Sequence, residues 1–288
     1  MALSPEVLTT ANAQARRLRE LVRAPRILVM PGAYDVLTVR LFTAMGFEAI
    51  QGSSGAIAAT YGLYDQELLS LERTAALYRT FVEATPLPVN ADGEKGFGGP
   101  EAMAETVRQF AGAGVAGFNL EDSDYHAPGA PMTLLPLAQQ VEKIRAVMAA
   151  KAALGSELFL NARVDVFGTV RDYRDGLDEA IRRGNAYAEA GADCIFIFRP
   201  PPAEGIRTLV REIQAPLSIL ATPDSPSPRE LEELGVARVS YGAAFLRVAI
   251  TAVRRLAASM QGDGNPAPLL REAMSHADLQ QYLRGPGG

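Results

Sequence analysis

Cysteine is almost absent from this chain. One residue in 288, Cys194, excludes an internal disulfide framework and any cysteine-rich metal cluster. It lies in the apolar run CIFIF, where it reads as a buried strand residue rather than a nucleophile. Histidine is nearly as scarce, with two residues. One of them, His126 in DYHAPGAPM, is either a gating acid or base or a solvated loop residue. No basic run exists: 28 basic and 33 acidic residues are interspersed, for a formal net charge of −5. That balance leaves no footprint for nucleic acid or an anionic membrane. Nor do about 18 uncharged apolar residues ever run together, and the opening MALSPEVLTTANAQARRLRE has no apolar core of signal-peptide length. These absences predict a cytoplasmic protein with neither nucleic acid nor membrane as partner.

What is present is one phrase, four times over. FTAMGFEAIQGSS, FAGAGVAGFNLED, YAEAGADCIFIFRP and LEELGVARVSYGA each end a helical stretch in Gly and then enter a short apolar run. Glycine closes a helix in the left-handed conformation, and an apolar run buried on both faces is what a parallel strand looks like. RILVMPG, LPVNADG, ELFLNARVD and PLSILATP bring the candidate strands to eight. Helices are predicted at Asp35 to Met45, Leu68 to Ala84, Pro100 to Ala113, Leu134 to Ala153, Asp172 to Ala190, Ala203 to Ile213 and Pro228 to Leu234. Eight βα units suggest an α/β chain folded as a (β/α)8 TIM-type barrel. The competitor, a doubly wound sheet, would want G-x-G-x-x-G after the first strand, where MPGAYD stands. A single domain is expected over 1–288, with the barrel at about 26–260 and a C-terminal helical extension at about 243–288. An amphipathic helix, Pro5 to Val22, precedes the barrel, and a last helix, Leu269 to Leu283, follows the break QGDGNPAP. Those appendages could pack on the barrel or on a neighbouring subunit.

A barrel gathers its active site at the C-terminal ends of its strands. Polar residues fall there: Tyr34 and Asp35 after strand 1, Ser53, Ser54 and Gly55 after strand 2, Asn90, Asp92 and Glu94 after strand 3. Asn119, Glu121 and Asp122 follow strand 4, with Asn161, Arg163 and Asp165 after strand 5 and Arg199 after strand 6. Asp92 and Glu121, with Glu94, offer hard oxygen ligands suited to Mg²⁺ held largely through its waters. Arg163 offers a planar fork for a carboxylate or phosphonate, and the amides of the small-residue turn Gly52 to Ala56 could cradle an oxyanion. Such a site suits a small, multiply charged acid, for example a 2-oxo acid reacting through its enolate. Bland readings stand beside these. Glu121, Asp122 and Asp92 could cap the next helix, Arg163 and Asp165 could form a structural ion pair, Glu94 and Lys95 could merely solvate a turn, and Asp65 in YGLYD reads as an N-cap.

Taken in order, MPGAYDVLTVRLFTAMGFEAI, GSSGAIAATYGLYD, NADGEKGFGG, GFNLEDS, NARVD, GADCIF and GVARVSYG resemble the isocitrate lyase and phosphoenolpyruvate mutase superfamily, from about Ile27 to Ala252. The resemblance implies a (β/α)8 barrel whose last helix is exchanged between subunits of a dimer or tetramer. It implies Mg²⁺, with Mn²⁺ as a substitute, held by Asp92 and Glu121, and a site carboxylate at Asp65. It places substrate binding on Arg163 and the Ser53 to Gly55 amides, with Tyr34 and Asn161 at the same mouth. Lyase members carry Cys-Gly-His in the loop after the fourth strand, where this chain has SDYHAPGAP, and mutase members place a lysine in that loop, where this chain has none between Glu121 and Lys143. The usual Asp-Ala-Asp begins with Asn90 here, two residues inserted before Gly-Phe-Gly bring in Glu94, and Phe198 stands where many relatives have a polar residue. The expected activity is Mg²⁺-dependent C–C cleavage of a small 2-oxo dicarboxylate, such as decarboxylation of oxaloacetate. A lyase of substituted malates, a phosphonomutase and a non-catalytic 2-oxo acid binding barrel are the alternatives.

Overall fold

Gly46, Gly114, Gly191 and Gly235, the glycines of the repeated phrase, have φ of 84°, 83°, 111° and 89°. Each turns the chain from the end of a helix towards the next strand, a conformation glycine adopts without a Cβ penalty. The computed structural model describes residues 3–124, 131–262, 264–265 and 267–283. His126 lies outside them.

Along the chain, α1 (Pro5–Arg23) leads to β1 (Leu28–Met30) and β2 (Gly32–Ala33), then α2 (Val36–Ala44), β3 (Ile50–Gly52), α3 (Ser54–Thr60) and α4 (Leu71–Glu83). Next come β4 (Val89–Asp92), α5 (Met103–Ala113), β5 (Gly117–Glu121), the short β6 (Ser123–Asp124) and β7 (Thr133–Leu134), and α6 (Leu137–Leu154). β8 (Phe159–Val164), α7 (Leu177–Glu189), β9 (Cys194–Ile197), α8 (Ala203–Glu212), β10 (Leu217–Leu220), α9 (Pro228–Glu233) and β11 (Arg238–Ser240) complete the barrel. Three helices follow: α10 (Ala244–Gly262), α11 (Ala267–Glu272) and α12 (His276–Leu283).

The main sheet is parallel and runs β1-β11-β10-β9-β8-β5-β4-β3-β2. Its two ends are adjacent pieces of one strand. Leu28 to Met30 pairs with Arg238 to Ser240, while Gly32 and Ala33 pair with Gln51 and Gly52. Pro31, which has no N–H to give a ladder, marks the switch. Eight strand positions thus close into the expected (β/α)8 barrel.

The N-terminal end of the barrel is plugged. Leu18, Leu21 and Val22 of α1 pack with Leu28, Met30, Ala49, Phe159 and Cys194. Polar contacts lock the plug: Arg19 Nε meets Asp193 Oδ1 at 2.7 Å, and the Asn12 amide both donates to Gly155 O and accepts from Glu157 N–H. The amphipathic N-terminal helix therefore belongs to the barrel. Cys194 is fully buried, and desolvation pushes its thiol up to about 12, as suits a strand residue rather than a nucleophile.

Several local expectations are corrected, among them the helix predicted from Asp172, which begins at Leu177 after a 3-10 turn over Tyr173–Gly176. The helix predicted from Leu68 begins at Leu71, because the Ser70 hydroxyl accepts the Arg73 N–H as an N-cap. The helix predicted from Leu134 begins at Leu137, after Pro136 and the β6/β7 hairpin. The single last helix is two, since Ser275 caps a fresh start by accepting the Asp278 N–H. α3 and the hairpin carry no periodic signal long enough to read in advance. Among the described residues no helix is long and apolar enough to cross a membrane.

Leu18→Ala should lower stability by about 2–5 kcal/mol, the usual cost of a buried Leu cavity. A chemical denaturation midpoint that matched wild type would show that α1 is not part of the barrel's core.

Candidate active site

All four non-glycine residues with left-handed backbone among the described residues, Glu67, Glu94, Phe97 and Arg199, lie in loops at the C-terminal rim of the barrel. Strain of that kind persists only where surrounding contacts over-determine it, and it collects at functional sites. Here the contacts are visible. The Glu67 N–H donates to Glu94 Oε2, the Phe97 N–H donates to Glu67 Oε1 at 2.6 Å, and the Glu121 N–H donates to the Glu94 carbonyl at 2.9 Å.

Below the rim, the inward positions that usually carry branched aliphatics carry amides instead. Asn90 Nδ2 donates to Gln51 Oε1 and to Asn119 Oδ1, and Asn161 Nδ2 donates to the same Asn119 oxygen at 2.8 Å. This chain of amides ties β3, β4, β5 and β8 together. One pleat further up, the same strands present Asp92, Glu121 and Arg163.

Arg163 is the fixed point. Its Nη1 meets Glu121 Oε2 at 2.6 Å, and its Nε and Nη2 donate to Asp165 Oδ1 at 2.9 and 2.6 Å. The Phe198 ring lies over its guanidinium, 4.0 Å from Cζ. Asp165 is held in turn by its own N–H on Asp122 Oδ1, and Asp122 Oδ2 accepts from Arg183 Nη1 and the Tyr187 hydroxyl. Of the five guanidinium hydrogens of Arg163, these bonds use three, leaving one on each terminal nitrogen.

A cavity of about 940 Å³ opens above, lined on its polar side by Ser53, Ser54, Gly55, Asp65, Asp92 and Arg163. The Ser54 hydroxyl donates to Asp92 Oδ2 at 2.8 Å, and the Asp92 N–H donates to the Tyr78 hydroxyl oxygen at 2.8 Å. Gly52 is required there, because a Cβ would stand 2.1 Å from the Tyr78 ring.

The structure thus brings Asp65, Asp92, Arg163 and the Ser53 to Gly55 turn onto one wall. It sets other candidates apart. Glu121 is committed to Arg163 beneath the wall, Glu94 faces the Glu67 amide, and Asn161 lies in the amide chain below. Tyr34 is half-buried outside the cavity lining, and Asp35 caps α2 in a capping box with Thr38. Sequence reasoning missed Gln51 and Arg238, whose only signal is a polar side chain inside a short apolar strand. It also missed Tyr241 and Arg247, which reach the cavity from the chain after β11.

Crowding sets the acidities. Burial first, then Asp92, raises Asp65 to about 6. Burial and then Asp65 raise Glu94 to about 8. Asp165 is raised to about 7 by burial against the opposing pull of Arg163, with Asp122 adding to the rise. Burial also raises Glu121, whereas Asp165 and Glu121 overcome burial to hold Arg163 firmly charged. Among the described residues no group of three or more His, Cys, Asp and Glu side chains converges on a metal position. The donor set fits a cation that keeps its waters and needs only one or two carboxylates, which is the habit of Mg²⁺.

A parallel barrel with carboxylates, one braced arginine and small-residue amides at its mouth defines an enzyme site for a small acidic metabolite. The phosphoenolpyruvate phosphomutase family model matches residues 18–261. The 2-methylisocitrate lyase of Bacillus subtilis (strain 168) is 32% identical over 278 residues, 93% of this chain and 89% of that protein. The 2,3-dimethylmalate lyase of Eubacterium barkeri is 30% identical over 275 residues, 93% of each. Among solved structures, oxaloacetate acetylhydrolase in complex with the inhibitor 3,3-difluorooxalacetate superposes with a TM-score of 0.81 at 25% identity, over 93% of this chain and 92% of that one. The chain belongs to the phosphoenolpyruvate mutase/isocitrate lyase superfamily and, with its relatives named as lyases, is an enzyme of that superfamily.

The raised carboxyls carry a sign. A folded-state value above the unfolded one gives stability that is full below about pH 4 and lost as pH rises through about 6 to 8. In metal-free buffer the melting temperature should therefore fall between about pH 5 and 9, and Glu94→Gln should flatten the upper part of that decline. A melting temperature that rose across this range would contradict the crowding.

Proposed function

We propose that this chain cleaves a carbon–carbon bond of a small 2-oxo dicarboxylic acid through an enolate, as in decarboxylation of oxaloacetate. The observation that carries the reading is Arg163, braced by two carboxylates yet keeping two free N–H groups on the cavity wall beside Asp92 and Asp65. Those hydrogens suit a substrate carboxylate, and Phe198 over the guanidinium face keeps water from it. Asp92, oriented by Ser54 and its own N–H on Tyr78, would hold Mg²⁺ or Mn²⁺ through waters, with Asp65 beside it and the carboxyls of Glu94 and Glu121 as further oxygen donors behind. The cation, when bound, supplies the charge that stabilises an enolate oxyanion. Asp65, near 6, can hold or release a proton at that wall close to neutral pH. In the Ser53 to Gly55 turn the Ser53 N–H is spent on Ala33 O, so the Ser54 and Gly55 N–H groups that open α3 are the second oxyanion contact.

A lyase of substituted malates is the second reading. The cavity's size and its apolar side, formed by Phe196, Phe198, Leu220 and Val248, favour an alkyl-bearing acid over oxaloacetate itself. Turnover of oxaloacetate and of 2,3-dimethylmalate, followed by mass spectrometry, separates the two. In either case Asp92→Ala should lower kcat by roughly a thousandfold, with chelator doing the same to wild type. Turnover indifferent to both would remove the metal-enolate reading.

The assembly is part of the same proposal: a homodimer or homotetramer that exchanges its C-terminal helix. α10 has no buried residue along its 19 residues, and Val248, Ile250 and Val253 are 71%, 57% and 60% exposed. A lone amphipathic helix does not leave such a face in water. Light scattering should give a dimer or tetramer for wild type and a smaller species for Ile250→Asp/Val253→Asp; a monomeric wild type would exclude the exchange.

A further inference from the structure

Among the described residues Arg238 is the largest fully buried side chain, inside the barrel on the last strand, and no described carboxylate pairs with it. Its Nη2 donates to Gln51 Oε1, while Nε and Nη1 meet no acceptor. Ser218, opposite it in register on β10, and Ser240, two residues on along the same face, are buried with unpartnered hydroxyls. A buried guanidinium with two idle nitrogens destabilises a fold, and an apolar residue of similar size would serve a core better. Packing does not account for it.

Gln51 does. Its carbonyl oxygen receives two donors, Arg238 Nη2 and Asn90 Nδ2, which fixes the direction of the amide. The amide nitrogen then has one place to go, and it donates to the Gly52 carbonyl at 2.6 Å. That carbonyl shares its peptide plane with the Ser53 N–H, which donates to Ala33 O at 3.0 Å. The plane leading into the Ser53 to Gly55 turn is thereby held from both sides. Gln51 and Ser240 line the cavity, and Arg238, outside the lining, bonds to the first of them.

We propose that Arg238 is a positioning residue. It orients Gln51, and through Gln51 the peptide that opens the anion-binding turn, although it lowers the stability of the barrel. The assignment rests on the anion-binding role given above to that turn.

The test sets affinity against stability, with Mg²⁺ and oxalate as the probe in calorimetry. Arg238→Met should raise the melting temperature by a few degrees and weaken oxalate binding about tenfold. Arg238→Lys, which can still donate to Gln51, should stay within about threefold of wild type. A purely structural Arg238 gives the opposite, a lower melting temperature with affinity unchanged, and unchanged affinity in Arg238→Met overturns the proposal at any melting temperature. Should wild type not bind oxalate with Mg²⁺, the enolate reading fails by itself. Hydrogen exchange over residues 50–56 then decides: faster exchange in Arg238→Met, with α1 unaffected, keeps the assignment, and equal exchange removes it.

Discussion

One guanidinium shared by two carboxylates organises the mouth of this barrel. Arg163 can neither turn nor lose its charge while Glu121 and Asp165 grip it, and breaking such a buried group by removing one partner typically costs about 3–5 kcal/mol. The grip extends outward: Asp122 holds the Asp165 backbone, and Arg183 and Tyr187 of α7 hold Asp122. A helix on the outside of the barrel therefore fixes a hydrogen-bond donor in the cavity. Burial at the centre of this grip, with Asp122 alongside, raises Asp165 to about 7 against the pull of Arg163.

Much of this architecture is legible in the sequence, because a barrel repeats. Four Gly-closed helices leading into apolar runs fix the period, and the period places every strand end on one rim. The four glycines do have positive φ, as a helix-ending role demands. Helix boundaries were less visible where a single serine or proline decides them, as at Ser70, Pro136 and Ser275. The site residues divide similarly. Strand position puts Asp92 and Arg163 at the mouth, but it does not say whether a carboxylate faces the cavity or a neighbouring charge. Glu121 ends the same kind of strand as Asp92 and turns to Arg163. Asp65, which local pattern alone makes an N-cap, reaches the wall because the loop after α3 folds back over Gly55, whose missing side chain leaves it room. Arg238 and Gln51 had no pattern to betray them.

Neutral groups flank this same arginine. Asn90 belongs to the run of amides below it, and Phe198 gives Arg163 an aromatic cover. Both lie apart from the acidic wall of the cavity. The result is a pocket with one charged side and one apolar side, a shape that orients an asymmetric acid.

The closure of the barrel at Pro31 has a consequence for how the chain comes to be folded. β1 is made first and finds its partner, β11, only after some two hundred further residues have been joined. Until then β1 is a bare edge on a growing sheet, and bare edges invite foreign strands. The plug helix α1, whose backbone hydrogen bonds are local in sequence, packs against that very strand through Leu28 and Met30. The plug meets its full set of partners, Phe159 and Cys194 among them, only once the strands between are in place, so plug and seam are completed by the same closure.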